Sequence, residues 1–241
     1  MKKILTLVLL MAVFVVGDAE AQKLKSLMKK AESALNKGGL SQEDAGNGLK
    51  EALNAGVGKA VDFLSAEDGY YKSAYKILLP EEAQKVTNKL KSVPGFQNAE
   101  EKVIEKINRA AEDAAVKAKP IFVSAIKQMT FKDAMNILLG NKDAATRYLE
   151  KATYDQLYTA FKPIIVESLD KFNAREYWRG AVNAHNKVPF VKKANPELDD
   201  YVTKQALGGM FGLIEVKEKD IRGNESSRTT DLMRKVFAKQ D

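Results

Sequence analysis

His185 is the single histidine of the 241-residue chain, and cysteine is absent. A histidine-dependent catalytic triad would have to use His185 as its base. That residue stands four positions before Pro189, at an expected helix end, where a cation favours the helix dipole. A zinc site would need three further ligands from carboxylates or water, against the usual nitrogen and sulfur preference. No twelve-residue calcium loop occurs. Neither a metal nor a cofactor is therefore expected, and no catalytic residue is singled out. Two facing carboxylates could cleave a glycosidic bond without histidine. The obvious pairs, Glu81-Glu82, Glu100-Glu101 and Asp199-Asp200, stand near helix starts, where acids favour the dipole and solvent.

The arginines offer a different chemistry. Arg147 lies four residues from both Asp143 and Lys151, so helical spacing puts it beside each. The plain reading is an Asp143–Arg147 surface pair. The functional reading is a polar pocket in which Arg147 grips an anionic group with both arms of its fork. Tyr148 is its neighbour, and Arg222 and Arg228 flank a loop that could add charge to the same place. Arg147, Tyr148, Arg222 and Arg228 are thus the candidate ligand-binding residues. Gly208, Gly209 and Gly212 do not form a nucleotide loop, because no strand precedes them. Within an apolar helix they let another helix come close. Tyrosines near turns, such as Tyr70, Tyr75 and Tyr158, suit core packing or a carbohydrate or lipid groove.

These residues sit on a chain that reads as helix throughout: rich in Ala, Lys, Glu and Leu, with few β-branched alternations. Apolar spacing predicts a short helix at 23–36. Ser41 and Asp44 form a capping-box variant for a helix from Gln42 to about Leu64, whose four interior glycines point to close packing or a kink. Asp68 to Tyr71 is a turn. A helix at 81–90 and a turn at 93–96 follow. A long helix from about Asn98 to Lys127 should kink or break at Pro120. Thr130 and Asp133 box the start of a helix to Leu139. Another runs from Asp143 to Phe172, with Pro163 expected to bend or split it. Asn173 and Glu176 are spaced for a further start, leading to about His185. A loop at 186–199 precedes a helix from about Asp200 to Ile221. Thr229 or Thr230 caps the last. The expected fold is an all-α, irregular multi-helix bundle, with one core or two helical lobes divided near 186–199.

The first residues carry an address. Lys2 and Lys3 precede an apolar stretch from Ile4 to Val16, and Ala19-Glu20-Ala21 is a cleavage box. This is the anatomy of a secretory signal peptide over 1–21, leaving a mature chain of 22–241. An uncleaved anchor is the alternative, although 13 residues are short for a span of roughly 20. The product is expected to be periplasmic or secreted, with no transmembrane segment after cleavage. The net charge of +7 favours anionic company. Acidic residues are mixed in throughout, so no block suits a nucleic acid.

An ordered series of motifs carries a family resemblance. It runs from Gly48-Leu-Lys-Glu-Ala-Leu53 through Ile121-Phe-Val-Ser-Ala-Ile-Lys-Gln-Met-Thr130, Asp133-Ala134, Ile137-Leu-Leu-Gly140 and Ala144-Ala-Thr-Arg-Tyr148 to Phe161-Lys-Pro163. It continues with Leu198-Asp-Asp-Tyr-Val-Thr203, Ala206-Leu-Gly-Gly-Met-Phe211, Ile221-Arg222 and Arg228-Thr-Thr-Asp-Leu232. Over 46–237 the chain resembles the exported bacterial family catalogued as domain of unknown function 4197. Asn224-Glu225 departs from the Asn-Pro usual there. The resemblance implies an all-helical extracytoplasmic protein and transfers no activity or catalytic residue. The expected function is binding: of an anionic envelope component, or of another extracytoplasmic protein. The alternatives are a carboxylate-dependent hydrolase of envelope polymers and a carrier of lipid or another apolar ligand.

Overall fold

The computed structural model describes residues 26, 29, 41–81, 84, 98–171, 173–187, 189–190, 193 and 195–238. The expected signal peptide, most of the helix at 23–36 and most of that at 81–90, and the turn at 93–96 lie outside them. The described residues form α-helices and one 3-10 turn, with no strand among them. The helices are α1 (Gln42–Leu64), α2 (Ala99–Ala115), α3 (Ala118–Gln128), α4 (Phe131–Leu138), α5 (Ala144–Asp170), α6 (Ala174–Asn186), α7 (Leu198–Gly223) and α8 (Asp231–Phe237).

Local chemistry sets most of the boundaries. Ser41 Oγ accepts from the Asp44 amide while the Asp44 carboxylate accepts from the Ser41 amide, a reciprocal box that starts α1. Thr130 and Asp133 repeat it at α4. Thr230 Oγ1 caps α8 by accepting from the Met233 amide. The expected break near Pro120 falls at 116–117, between α2 and α3. A proline lacks the N–H that would serve the carbonyl four residues back, which here is that of Val116. Pro163, by contrast, does not split α5. Its orphaned acceptor is the carbonyl of Thr159, an exposed residue, and water can serve it.

One apolar cluster runs through the bundle from α1 to α8. The two long helices, α5 and α7, form its most extensive contact, and α1 and α2 pack on them. Leu49, Leu53, Val57 and Leu64 bury one face of α1. Leu149, Leu157, Phe161 and Ile165 bury one face of α5. The spacing of three and four residues keeps each set on a single stripe.

A segment without regular structure, 65–80, is fastened to the bundle by α2. Glu112, 4% exposed, accepts from the amides of Tyr70 and Tyr71, at 3.0 Å each. Arg109 joins Glu112 to Asp68, 2.7 Å from each. Asn108 donates to the Ile77 carbonyl and accepts from the Ile77 amide. Asp68 has φ 67°, a left-handed conformation that aspartate tolerates better than most residues. The glycines of α7 then meet this segment rather than another helix. A Cβ on Gly209 would lie 3.1 Å from the Tyr70 ring, and one on Gly212 would lie 3.7 Å from that of Tyr75. Gly208 faces nothing within 4 Å. The Tyr70 hydroxyl donates to the Ala206 carbonyl at 2.8 Å, and burial pushes its pKa strongly upwards.

Candidate functional site

Two polar clusters, one near each end of α7, hold the groups with chemical potential. The first contains the arginines expected from the sequence. Glu218, 8% exposed, accepts from the amides of Ala145 (2.9 Å) and Thr146 (2.7 Å) and from Thr146 Oγ1 (2.7 Å). It therefore caps the start of α5 from a different helix, where Asp143 makes no side-chain cap. Arg222, 6% exposed, donates to Glu218 at 3.0 Å and to the Ile137 carbonyl at 2.9 Å. Acid meets the positive end of α5, and base meets the negative end of α4.

Arg228, 2% exposed, donates to the carbonyls of Ile221 (3.0 Å) and Arg222 (2.9 Å), closing the end of α7. Its guanidinium also lies 6.0 Å from the Phe237 ring. Arg147 is on the surface, with Asp143, Glu150 and Glu215 around its fork. Tyr148 packs against the core, and burial, with the nearby Asp133 charge, raises its pKa. The structure thus brings Arg222 and Arg228 into direct contact and places Arg147 next to Thr146, which Glu218 holds. Both buried guanidinium groups engage carbonyls of the chain itself. Glu218 fills the helix start that an outside anion would have used. A cavity of about 20 Å³ adjoins the pair, lined by Leu53, Gly56, Val57 and Phe237 among others. It has room for one water-sized molecule.

The second cluster lies where the middle of α5, the start of α6 and the start of α7 meet. Asp199 was expected in solvent near a helix start, but it is only 3% exposed. The bundle itself covers it: α5 supplies Lys162, whose Nζ lies 3.5 Å from Asp199 Oδ2. From α6, Arg175 Nη1 stands 3.9 Å from Asp199 Oδ1. That distance is too long for a hydrogen bond, and Oδ1 has no hydrogen-bond partner. Arg175 Nε also lacks a hydrogen bond, although Asp170 stands 3.0 Å away as an ion pair. Buried polar atoms left unmatched are uncommon and point to strain or to a missing partner.

Asp200 beside it is saturated. Its oxygens accept from Tyr158 (2.7 Å), Asn195 (2.9 Å) and Lys204 (2.9 Å). Burial works to raise the Asp200 pKa, but the Tyr158 and Lys204 hydrogen bonds outweigh it and hold the carboxyl below its usual range. The hydrogen bond to Asp200, reinforced by burial, raises the Tyr158 pKa. Lys162 is raised chiefly by its contact with Tyr158, and Lys204 by Asp200. At neutral pH the cluster therefore holds a phenol, two ammonium groups and an ionised Asp200. Each shift moves its group further from neutrality, whereas general acid–base work favours a pKa near it.

Sequence reasoning missed this cluster because it read Asp199-Asp200 by local position alone. Tyr158 and Lys162, four residues apart on one helix face, were the only local hint. Arg175 and Asp199 are 24 positions apart, and only the fold joins them. His185 was expected at a helix end; its side chain lies outside the described residues. Among the described residues no group of acids or histidine is placed to hold a metal ion. No described helix is long and apolar enough to cross a membrane.

A family model described as "Protein of unknown function (DUF4197)" matches residues 39–238, and the chain belongs to that family. No curated protein and no solved structure is similar enough to match.

Proposed function

We propose that this member of the DUF4197 family is an exported binding module whose contact face is the polar junction of α5, α6 and α7. The observation that carries the reading is Asp199 Oδ1, a buried carboxylate oxygen with no donor, beside Asp200, whose carboxylate is fully matched. A partner that supplies a donor there removes a standing desolvation cost. Its surroundings are partly open: the side chains of Lys162 and Lys204 are 40% and 55% exposed. Export, inferred from the first 21 residues, places the partner in the cell envelope or beyond it.

The alternatives draw less support. A hydrolase needs one carboxyl kept protonated near neutral pH, and Asp200 is shifted the other way. A lipid carrier needs a cavity for an acyl chain. The space beside Arg222 is smaller than that by an order of magnitude.

The test is site-specific photo-cross-linking in cells that make the full chain. A photoreactive residue replaces Lys204 at the junction or, as a control, Lys119 on α3, which has a similar exposure of 54%. The expected result is a discrete adduct from position 204 only. Identical products from both positions, or no adduct from 204, would overturn the reading.

A further inference from the structure

The charges at the junction are balanced. Asp170, Asp199 and Asp200 face Lys162, Arg175 and Lys204. An entering anion meets Asp199 and Asp200, and an entering cation meets Lys162 and Arg175. A neutral hydroxyl meets neither penalty, and its one oxygen both donates and accepts.

The spacing suits that group. A hydroxyl oxygen about 2.8 Å from each neighbour spans the 3.9 Å between Asp199 Oδ1 and Arg175 Nη1. It would donate to the carboxylate and accept from the guanidinium. A second hydroxyl on the adjacent carbon can accept from Lys162 Nζ, which flanks the other oxygen of the same carboxylate. We infer that Asp199, Arg175 and Lys162 form a subsite for a vicinal diol of a neutral saccharide. This rests on the junction being the binding face. Asp199 Oδ1 is shut off from solvent, so entry requires Arg175, whose side chain is 26% exposed, to swing out and then close back over the bound hydroxyl.

The experiment follows amide resonances of the isotope-labelled mature chain during separate titrations. The probes are neutral tetrasaccharides of glucose, mannose or galactose, then polyphosphate, then spermine. The expected result is a saturable shift with a tetrasaccharide, confined to residues around 158–162, 175 and 199–204. Asp199→Asn and Lys162→Met should each weaken it tenfold or more, while Lys119→Met leaves it unchanged. The spectra themselves report whether each variant is folded, and the more exposed Lys162 gives a second reading should the Asp199 variant unfold. Junction shifts with polyphosphate or spermine but with no tetrasaccharide would sink the diol subsite and leave the binding face standing. Silence from every probe would also sink it, and the cross-linking at position 204 would then judge the face independently.

Discussion

Glu218 and Arg222 stand one turn apart on α7, joined at 3.0 Å, and between them they fasten the corner where α4 ends and α5 begins. Glu218 reaches the amides of Ala145 and Thr146, and Arg222 reaches the carbonyl of Ile137. One ion pair thus satisfies two helix ends that belong to other elements.

Removing one partner should therefore cost more than the pair alone. Glu218→Ala leaves Arg222 charged and buried, and two amides of α5 without an acceptor. The expected loss is about 3–5 kcal/mol, read from denaturant midpoints of the mature chain. Glu218→Gln retains an acceptor and should fall between the two. A loss below about 1 kcal/mol for Glu218→Ala would show that the corner holds without it.

Glycines on the two central faces should separate by what stands opposite. A Cβ on Gly48 would lie 2.5 Å from Val236 Cγ2, so Gly48→Ala pushes α8 away from α1. Overpacking of this kind costs about 1–3 kcal/mol, against a helix-propensity gain of up to about 1 kcal/mol. Adding Val236→Ala should recover part of the loss. Gly208→Ala meets nothing within 4 Å and should stabilise. Equal stabilities for Gly48→Ala and Gly208→Ala would contradict the packing.

The elements that were legible in the sequence are those decided locally. Both capping boxes need only residues three apart. The Pro120 break was legible too, displaced to the carbonyl that the proline cannot serve. Pro163 was expected to bend or split its helix, and the split does not occur; that outcome depends on whether Thr159 faces water, which the bundle decides. The arginines show the same limit. Arg222 and Arg228 were singled out as ligand-binding residues, but sequence carries no measure of burial for a charged residue. Their acceptors are mostly backbone carbonyls, which have no signature. Asp199 was read as solvated because its local setting is a helix start; Lys162 and Arg175 come to it from two other helices.

Arg147 and Arg228 should respond in opposite ways to lysine. Arg147 is half-exposed among three carboxylates, and lysine keeps the charge they see, so a change within about 0.5 kcal/mol is expected. Arg228 spans two carbonyls with a planar fork that lysine lacks. Arg228→Lys should cost about 1–3 kcal/mol and loosen α8, visible as faster amide exchange over 231–237. Comparable stability of the two variants would remove the capping role of Arg228.

The proposal of export rests on the first 21 residues. Cells that secrete the chain should yield a soluble product beginning at Gln22, as read by N-terminal sequencing. A soluble exported product that still begins at Met1 would refute the cleavage.

The last prediction concerns pH. The Asp200 carboxyl is held below its usual pKa in the folded chain. Its stabilising contribution is therefore present above the unfolded value, near pH 4. It is lost as pH falls through the lower folded one. Tyr158 is shifted upwards, first by its bond to Asp200. Its contribution is present below the unfolded value, near pH 10, and is lost as pH rises through the folded one. Denaturant midpoints should therefore decline on both sides of a broad plateau. Asp200→Asn removes the acid titration and the main cause of the tyrosine shift together, so both slopes should flatten relative to wild type. Tyr158→Phe removes only its own share of the alkaline slope, leaving that of the other raised tyrosines such as Tyr70, and leaves Lys204 and Asn195 to hold Asp200, so much of the acid slope should remain. A wild-type profile that Asp200→Asn leaves unchanged at both ends would mean that the hydrogen bond between Tyr158 and Asp200 contributes nothing to stability.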